Sequence, residues 1–194
     1  MRIAIFGGTF DPIHNAHLAV AREAAERFQL DRVLFIPAAH PPHKQSGARA
    51  PYEDRVRMAE LATAGEPRFC VSRLEEGAAR SYSIDTIEKV RATLAPGDTL
   101  YFVIGADAFA EIQTWRRWRD VAATVRFLVV SRPNAVYNPP PDVAFDRLDT
   151  LALPTSSSDV RADLAAGRRP AELPAPVLQY IEDRGLYSSR TATT

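Results

Sequence analysis

The sequence predicts a doubly wound, Rossmann-like α/β fold, and two observations predict it. Short apolar runs rich in β-branched residues alternate with longer amphipathic stretches from the first residue to about 130, the signature of βαβ units. The runs are nearly all apolar, as expected where helices cover both faces of a parallel sheet. Handedness rules for parallel crossovers then put the ligand site beyond the carboxyl ends of the strands.

Strands are expected at about 2–6, 33–36, 69–72, 100–104 and 125–130, and helices at about 16–28, 52–64, 84–94, 107–122, 157–166 and 175–184. Pro51 suits a first helical turn, where its missing N–H would have no partner; Ala95-Pro96-Gly97 ends a helix; Gly185 suits a left-handed C-cap. Two long proline-bearing loops, 37–50 and 132–142, fit a functional role, as long structureless loops in compact domains often do. No repeat or linker divides the chain, so 1–187 reads as one domain and 188–194 as a tail with nothing to bury, expected to be mobile.

Composition narrows the function classes. With 194 residues, 46% of them hydrophobic, the chain can bury a sizeable core. Its 24 basic and 24 acidic residues cancel, leaving no domain-wide positive field for bulk nucleic-acid binding. The single cysteine, Cys70, sits in Phe69-Cys70-Val71 and reads as a buried strand position in a reducing compartment. The N-terminal apolar run is too short for a signal peptide, and no stretch approaches a spanning helix, so a cytoplasmic protein with no membrane partner is expected.

The first chemistry-bearing segment follows the first strand: Gly7-Gly8-Thr9-Phe10-Asp11-Pro12-Ile13-His14-Asn15-Ala16-His17. Two glycines after a strand allow close backbone approach to a ligand, and the next helix would aim free amides and its positive dipole end at the same place. An anion is the natural occupant. The spacing matches neither the dinucleotide-binding glycine fingerprint nor the P-loop. His14 and His17, three apart, can present two N–H donors to one phosphate. All four histidines lie between 14 and 43, but a metal site is the weaker reading because no carboxylate or thiolate completes it.

The second segment, Pro154-Thr155-Ser156-Ser157-Ser158-Asp159-Val160-Arg161, leads into an amphipathic helix. Ser156 with Asp159 satisfies the capping-box pattern, which puts Ser157 and Ser158 in the first turn and Arg161 on the face of Ser157. Hydroxyls, free amides and a guanidinium would converge on a second anion.

The two segments together resemble the paired signatures of the nucleotidyltransferase superfamily with the His-x-Gly-His motif. Further segments are similar to those of bacterial nicotinate-nucleotide adenylyltransferases: Pro41-Pro42-His43-Lys44, Ser81-Tyr82-Ser83-Ile84-Asp85-Thr86, Ile104-Gly105-Ala106-Asp107-Ala108-Phe109, Thr114-Trp115 and Ser131-Arg132-Pro133. The family's usual glycine before the second histidine is Ala16 here, and its usual threonine after the two serines is Ser158. The resemblance, covering about 2–187, implies transfer of AMP from ATP, with Mg²⁺, to the phosphate of nicotinate mononucleotide, giving deamido-NAD and pyrophosphate. It further implies that Gly7, Gly8, Thr9, Phe10, His14, His17, Gly105, Asp107, Ser157, Ser158 and Arg161 hold ATP, with His14, His17 and Arg161 catalytic. Lys44, Ser83, Trp115 and Arg116 would hold the pyridine nucleotide, Trp115 by stacking and the backbone around Ser83 and Arg116 by donating to the carboxylate. No residue is expected to ligate the metal directly. The alternatives are a relative acting on another phosphate acceptor, including nicotinamide mononucleotide, and a nucleotide-binding sensor without turnover; a homo-oligomer is left open.

Overall fold

A computed structural model describes residues 1–40, 48–131, 140, 143–149 and 155–188. Among the described residues six parallel strands form one sheet in the order β3-β2-β1-β4-β5-β6. They are β1 Arg2–Gly8, β2 Arg32–Pro37, β3 Phe69–Val71, β4 Thr99–Gly105, β5 Arg126–Ser131 and β6 Phe145–Asp149. Helices α1 Asn15–Arg27, α2 Tyr52–Thr63, α3 Ser83–Arg91, α4 Ala106–Ala110, α5 Trp118–Thr124, α6 Ser157–Ala165 and α7 Ala175–Arg184 connect or flank them.

Successive strand side chains point to opposite faces, and β1 shows the consequence. Ala4 enters one core with Leu18, Phe35, Met58 and Val177, whereas Ile3 and Ile5 enter the other with Ile87, Phe109 and Phe127. The two cores need two helical layers. The chain builds β1 to β3 outward in one direction, then returns to place β4 on the other side of β1. The order reverses between β1 and β4, and the loops leaving their carboxyl ends part there, which opens a crevice.

Local chemistry fixes the helix ends. Ser156 caps α6: its Oγ accepts from the Asp159 amide at 3.2 Å while Asp159 Oδ2 accepts from the Ser156 amide at 3.2 Å. Gly185 ends α7 with φ 61°, a left-handed conformation that glycine adopts without a Cβ penalty. Buried Asp54 joins α2 to α7 by accepting from the Tyr180 hydroxyl at 2.8 Å and Arg184 Nε at 3.2 Å.

Three sequence expectations are corrected. The single helix at 107–122 is instead α4, a 3₁₀ turn at Ile112–Thr114, and α5. Phe109, Ile112 and Trp115 recur every three residues, a spacing that short 3₁₀ turns satisfy as well as an α-helix does. The chain then breaks at Arg117, with φ 53°. Second, the sheet gains β6, whose sequence Phe-Asp-Arg-Leu-Asp alternates because it lies beyond β5 and is half open to solvent. It is fastened by Arg126 to Asp146 and by the Ser131 hydroxyl to Asp149, 2.6 Å. Third, Cys70 is only half-buried, because β3 is the last strand on its side of the sheet. The tail beyond Ser188, and most of the two long loops, lie outside the described residues.

Candidate active site

The turn from β1 to α1 forms the floor of the site. Gly8 is needed for a reason other than ligand approach: a Cβ there would lie 2.9 Å from the Phe10 ring. Phe10 is 2% exposed and wedged between Phe6 and Phe35, with its ring edge to His17 at 5.2 Å. Gly7 lines the crevice, and the Thr9 carbonyl accepts from Arg55 at 2.8 Å. His14 caps α1, and its ring lies 3.8 Å from that of His17, so the two imidazoles face one way as the spacing predicts.

The histidine pair is neutral at pH 7. Burial pulls the His14 imidazole down to about 4, only partly opposed by the Glu172 carboxylate; burial and then the neighbouring His14 hold His17 well below its usual range. The His14 amide donates to His17 Nδ1 at 3.2 Å, which leaves Nε2 of His17 as its N–H donor. His14 Nδ1 is buried with no hydrogen-bond partner among the described residues. The α1 amides are less available to an anion than the sequence suggests, since the Asn15 amide donates to the Glu172 carbonyl at 2.7 Å. Ala16 is 8% exposed, so its methyl is largely covered by packing.

The start of α6 docks directly on this turn. The Ser157 hydroxyl donates to the Pro12 carbonyl at 3.1 Å, and Arg161 Nη1 donates to the Asp11 carbonyl at 2.7 Å. Arg161 Nη2 donates to the Ser158 hydroxyl at 3.1 Å, and both residues line a hollow of about 500 Å³ with Arg49 and Tyr187. The two segments, some 140 residues apart in the chain, thus share one surface. Ser157 joins the segments, while Ser158 and Arg161 face the hollow.

The residues that hold this junction were missed in the sequence. Asp11, 3% exposed, accepts from the amides of Arg49 and Ala50 at 2.7 and 3.0 Å and from the Tyr187 hydroxyl at 2.7 Å. Burial raises the Tyr187 phenol and the Asp11 carboxylate adds to the shift, so it stays a donor. Arg55, 1% exposed, spends its donors on the carbonyls of Ala50, Thr9 and Ala38 at 3.2, 2.8 and 2.8 Å. Its signal was a cation in register with the buried Met58 and Ala59 on α2.

Between the carboxyl ends of β1 and β4 the crevice deepens into a cavity of about 240 Å³, walled by Phe6, Ile36, Phe102, Ile104 and Trp115. Trp115 meets Phe102 edge to face at 5.9 Å and lines the cavity, whereas Trp118 is half-buried beneath Arg119 and not part of the core. Ser83 opens α3 at the cavity wall, where the first helical amides have no intrahelical acceptor. The Arg116 side chain turns away to stack on Tyr82 at 4.8 Å and pair with Asp85 at 3.7 Å. Gly105 reaches the cavity; Asp107 is exposed in the first turn of α4, outside the lining. Lys44 and His43 lie outside the described residues. Among the described residues no three His, Cys, Asp or Glu side chains converge as metal ligands.

The cytidylyltransferase-like family model matches residues 5–163. A protein of Solibacter usitatus named "Probable nicotinate-nucleotide adenylyltransferase" is 69% identical over 188 residues, spanning 97% of this chain and 100% of that protein. A protein of the same name from Mycolicibacterium vanbaalenii is 40% identical, spanning 97% and 92%. Among solved structures, Plasmodium falciparum nicotinic acid mononucleotide adenylyltransferase complexed with NaAD superposes with a TM-score of 0.78 at 19% identity, covering 96% of this chain and 97% of that one. That structure shares the fold.

Proposed function

The chain belongs to the cytidylyltransferase-like family and, within it, to the nicotinate-nucleotide adenylyltransferases, and on that premise we propose the reaction its site performs. It transfers the adenylyl group of ATP to nicotinate mononucleotide, yielding nicotinate adenine dinucleotide and pyrophosphate, a step of NAD biosynthesis. A phosphate oxygen of the mononucleotide attacks the α-phosphorus; the new P–O bond forms as the bond to the β-phosphate oxygen breaks, and pyrophosphate carries away the electron pair. The attacking phosphate is already ionised at neutral pH, so the protein need supply only alignment and charge stabilisation.

The observation that carries this reading is the docking of Ser157 and Arg161 on the Asp11-Pro12 backbone. It holds the Arg161 guanidinium and the start of α6 against the turn that leads into His14 and His17, whose rings lie 3.8 Å apart, an arrangement that suits one triphosphate. His14 and His17 donate to the α-phosphoryl oxygens as charge builds there, Ser158 and Arg161 hold the departing β and γ phosphates, and the cavity by Trp115 takes the pyridine ring. Roles for Thr9, Phe10, Gly105, Asp107, Lys44, Ser83 and Arg116 rest on their motifs. Mg²⁺ enters as part of the substrate, carried on the phosphates of ATP, whose charge it neutralises. The unpaired Cys70 supports a cytoplasmic setting; among the described residues no helix is long and apolar enough to cross a membrane.

The test is pyrophosphate release from ATP and Mg²⁺ with nicotinate mononucleotide, nicotinamide mononucleotide and phosphopantetheine in parallel. Strong release with the first alone is expected. Release with phosphopantetheine alone would reassign the acceptor, and release with none, from folded protein, would reject the reaction.

A further inference from the structure

The cavity between β1 and β4 has one charged side chain among its described lining residues, Glu75. It is 8% exposed, and its two oxygens are treated unequally. Oε1 accepts from the Thr86 hydroxyl at 2.7 Å, whereas Oε2 is enclosed without a hydrogen-bond partner among the described residues. A buried carboxylate left this way is costly unless a cation or donor completes it. The cations around it spend their hydrogen bonds elsewhere: Arg55, which feels the Glu75 charge without bonding to it, on three carbonyls, Lys89 on the Leu74 carbonyl at 2.9 Å, and Arg73 on Glu53 and Glu76. The nearby Tyr52 hydroxyl is also buried and does not bond to it.

A pyridine ring joined to ribose through its nitrogen is flat, offers broad faces that pack on apolar side chains, and is positively charged. Phe102, Ile104 and Trp115 suit its surface; Glu75 suits its charge. We infer that Glu75 is the counter-ion of the pyridinium ring, a specificity-determining residue that separates a pyridinium nucleotide from one with an uncharged ring, and that Thr86 fixes its aim. This rests on the acceptor reading above. The sign of the effect follows from charge. A nicotinamide ring is net cationic and a nicotinate ring is zwitterionic, so loss of the Glu75 charge weakens the amide nucleotide more and widens the preference for the acid.

Glu75→Gln keeps the shape and an acceptor for Thr86 while removing the charge. Binding of nicotinate mononucleotide, of its 1,4-dihydro form with an uncharged ring, and of ATP is measured by calorimetry on wild type and variant. The pyridinium nucleotide is expected to bind about tenfold more weakly, the scale of one partly shielded charge pair, with the dihydro form unchanged or tighter and ATP unchanged. Equal weakening of both pyridine nucleotides, or of neither, overturns the counter-ion role. If Glu75→Gln fails to fold, Thr86→Val tests the same point: the freed carboxylate should weaken the pyridinium form alone, and equal weakening of both forms overturns the inference. Wild-type protein that binds ATP but neither pyridine nucleotide would instead reject the acceptor assignment on which this depends.

Discussion

A methyl group at position 8 has nowhere to go. Its carbon would stand 2.9 Å from Phe10 Cε1, and Phe10 cannot retreat because it is buried against Phe35 and His17. Gly8→Ala is therefore expected to destabilise by about 1–3 kcal/mol, the usual cost of overpacking, and to disturb the His17 ring. Gly7→Ala is the control: its Cβ meets only Phe102, at an ordinary 4.0 Å. Thermal unfolding of the pair checks this, and equal melting temperatures would refute the steric account. Arg161 has two duties, bonding the Asp11 carbonyl and facing the hollow beside Ser158. If the second is catalytic, Arg161→Ala lowers kcat by about 100-fold or more, in the range seen for other preorganised charge stabilisers. Binding of nicotinate mononucleotide should stay within about threefold, since the lost interaction belongs to the transition state. Parallel losses in both would recast Arg161 as a structural clamp.

At the scale of elements, legibility followed burial. The strands β1, β2, β4 and β5 were readable because both faces are covered and the sequence is apolar throughout, and α6 because Ser156 and Asp159 spell out its start. Ser156→Ala should accordingly cost about 1 kcal/mol through the lost cap, read as a lower melting temperature. Because the cap also fixes where Ser157 and Arg161 meet the Asp11-Pro12 turn, the variant should raise the KM for ATP as well; an unchanged KM would separate the cap from the site. What failed to show was long-range or two-sided. The alternation in Phe145–Asp149 reads as surface, and only pairing with β5 makes it a strand. The break at Arg117 turns on a single left-handed residue held by Glu88 at 2.9 Å and Asp120 at 2.7 Å, partners on two different helices. Asp11 was invisible because its partners Arg49, Ala50 and Tyr187 lie far along the chain, Glu75 because its burial depends on the packing of the sheet and α3 around it, and Arg55 left only its register with Met58 and Ala59.

For the whole molecule, the neutral histidine pair links stability, pH and substrate. In the folded state His14 holds its proton only below about 4, and His17 likewise only well below its usual range, whereas the unfolded chain protonates both near 6.5. Between those limits the unfolded state binds more protons, so folding stability falls as pH is lowered from 6.5 toward 4, by up to about 1.4 kcal/mol per pH unit for each histidine. His14→Asn keeps a good capping residue and should flatten that slope in melting curves from pH 7 to 4.5. A triphosphate reverses the sign locally: its negative charge beside the imidazoles raises their affinity for protons. ATP binding near pH 6 should thus take up protons. Calorimetry in two buffers of different ionisation enthalpy reads that uptake directly, as a difference in apparent binding heat. The difference should shrink in His14→Asn. Equal heats in both buffers for the wild type would mean that the phosphates do not lie against the pair, and that charge on the α-phosphoryl group is met by Arg161 and the helix amides alone.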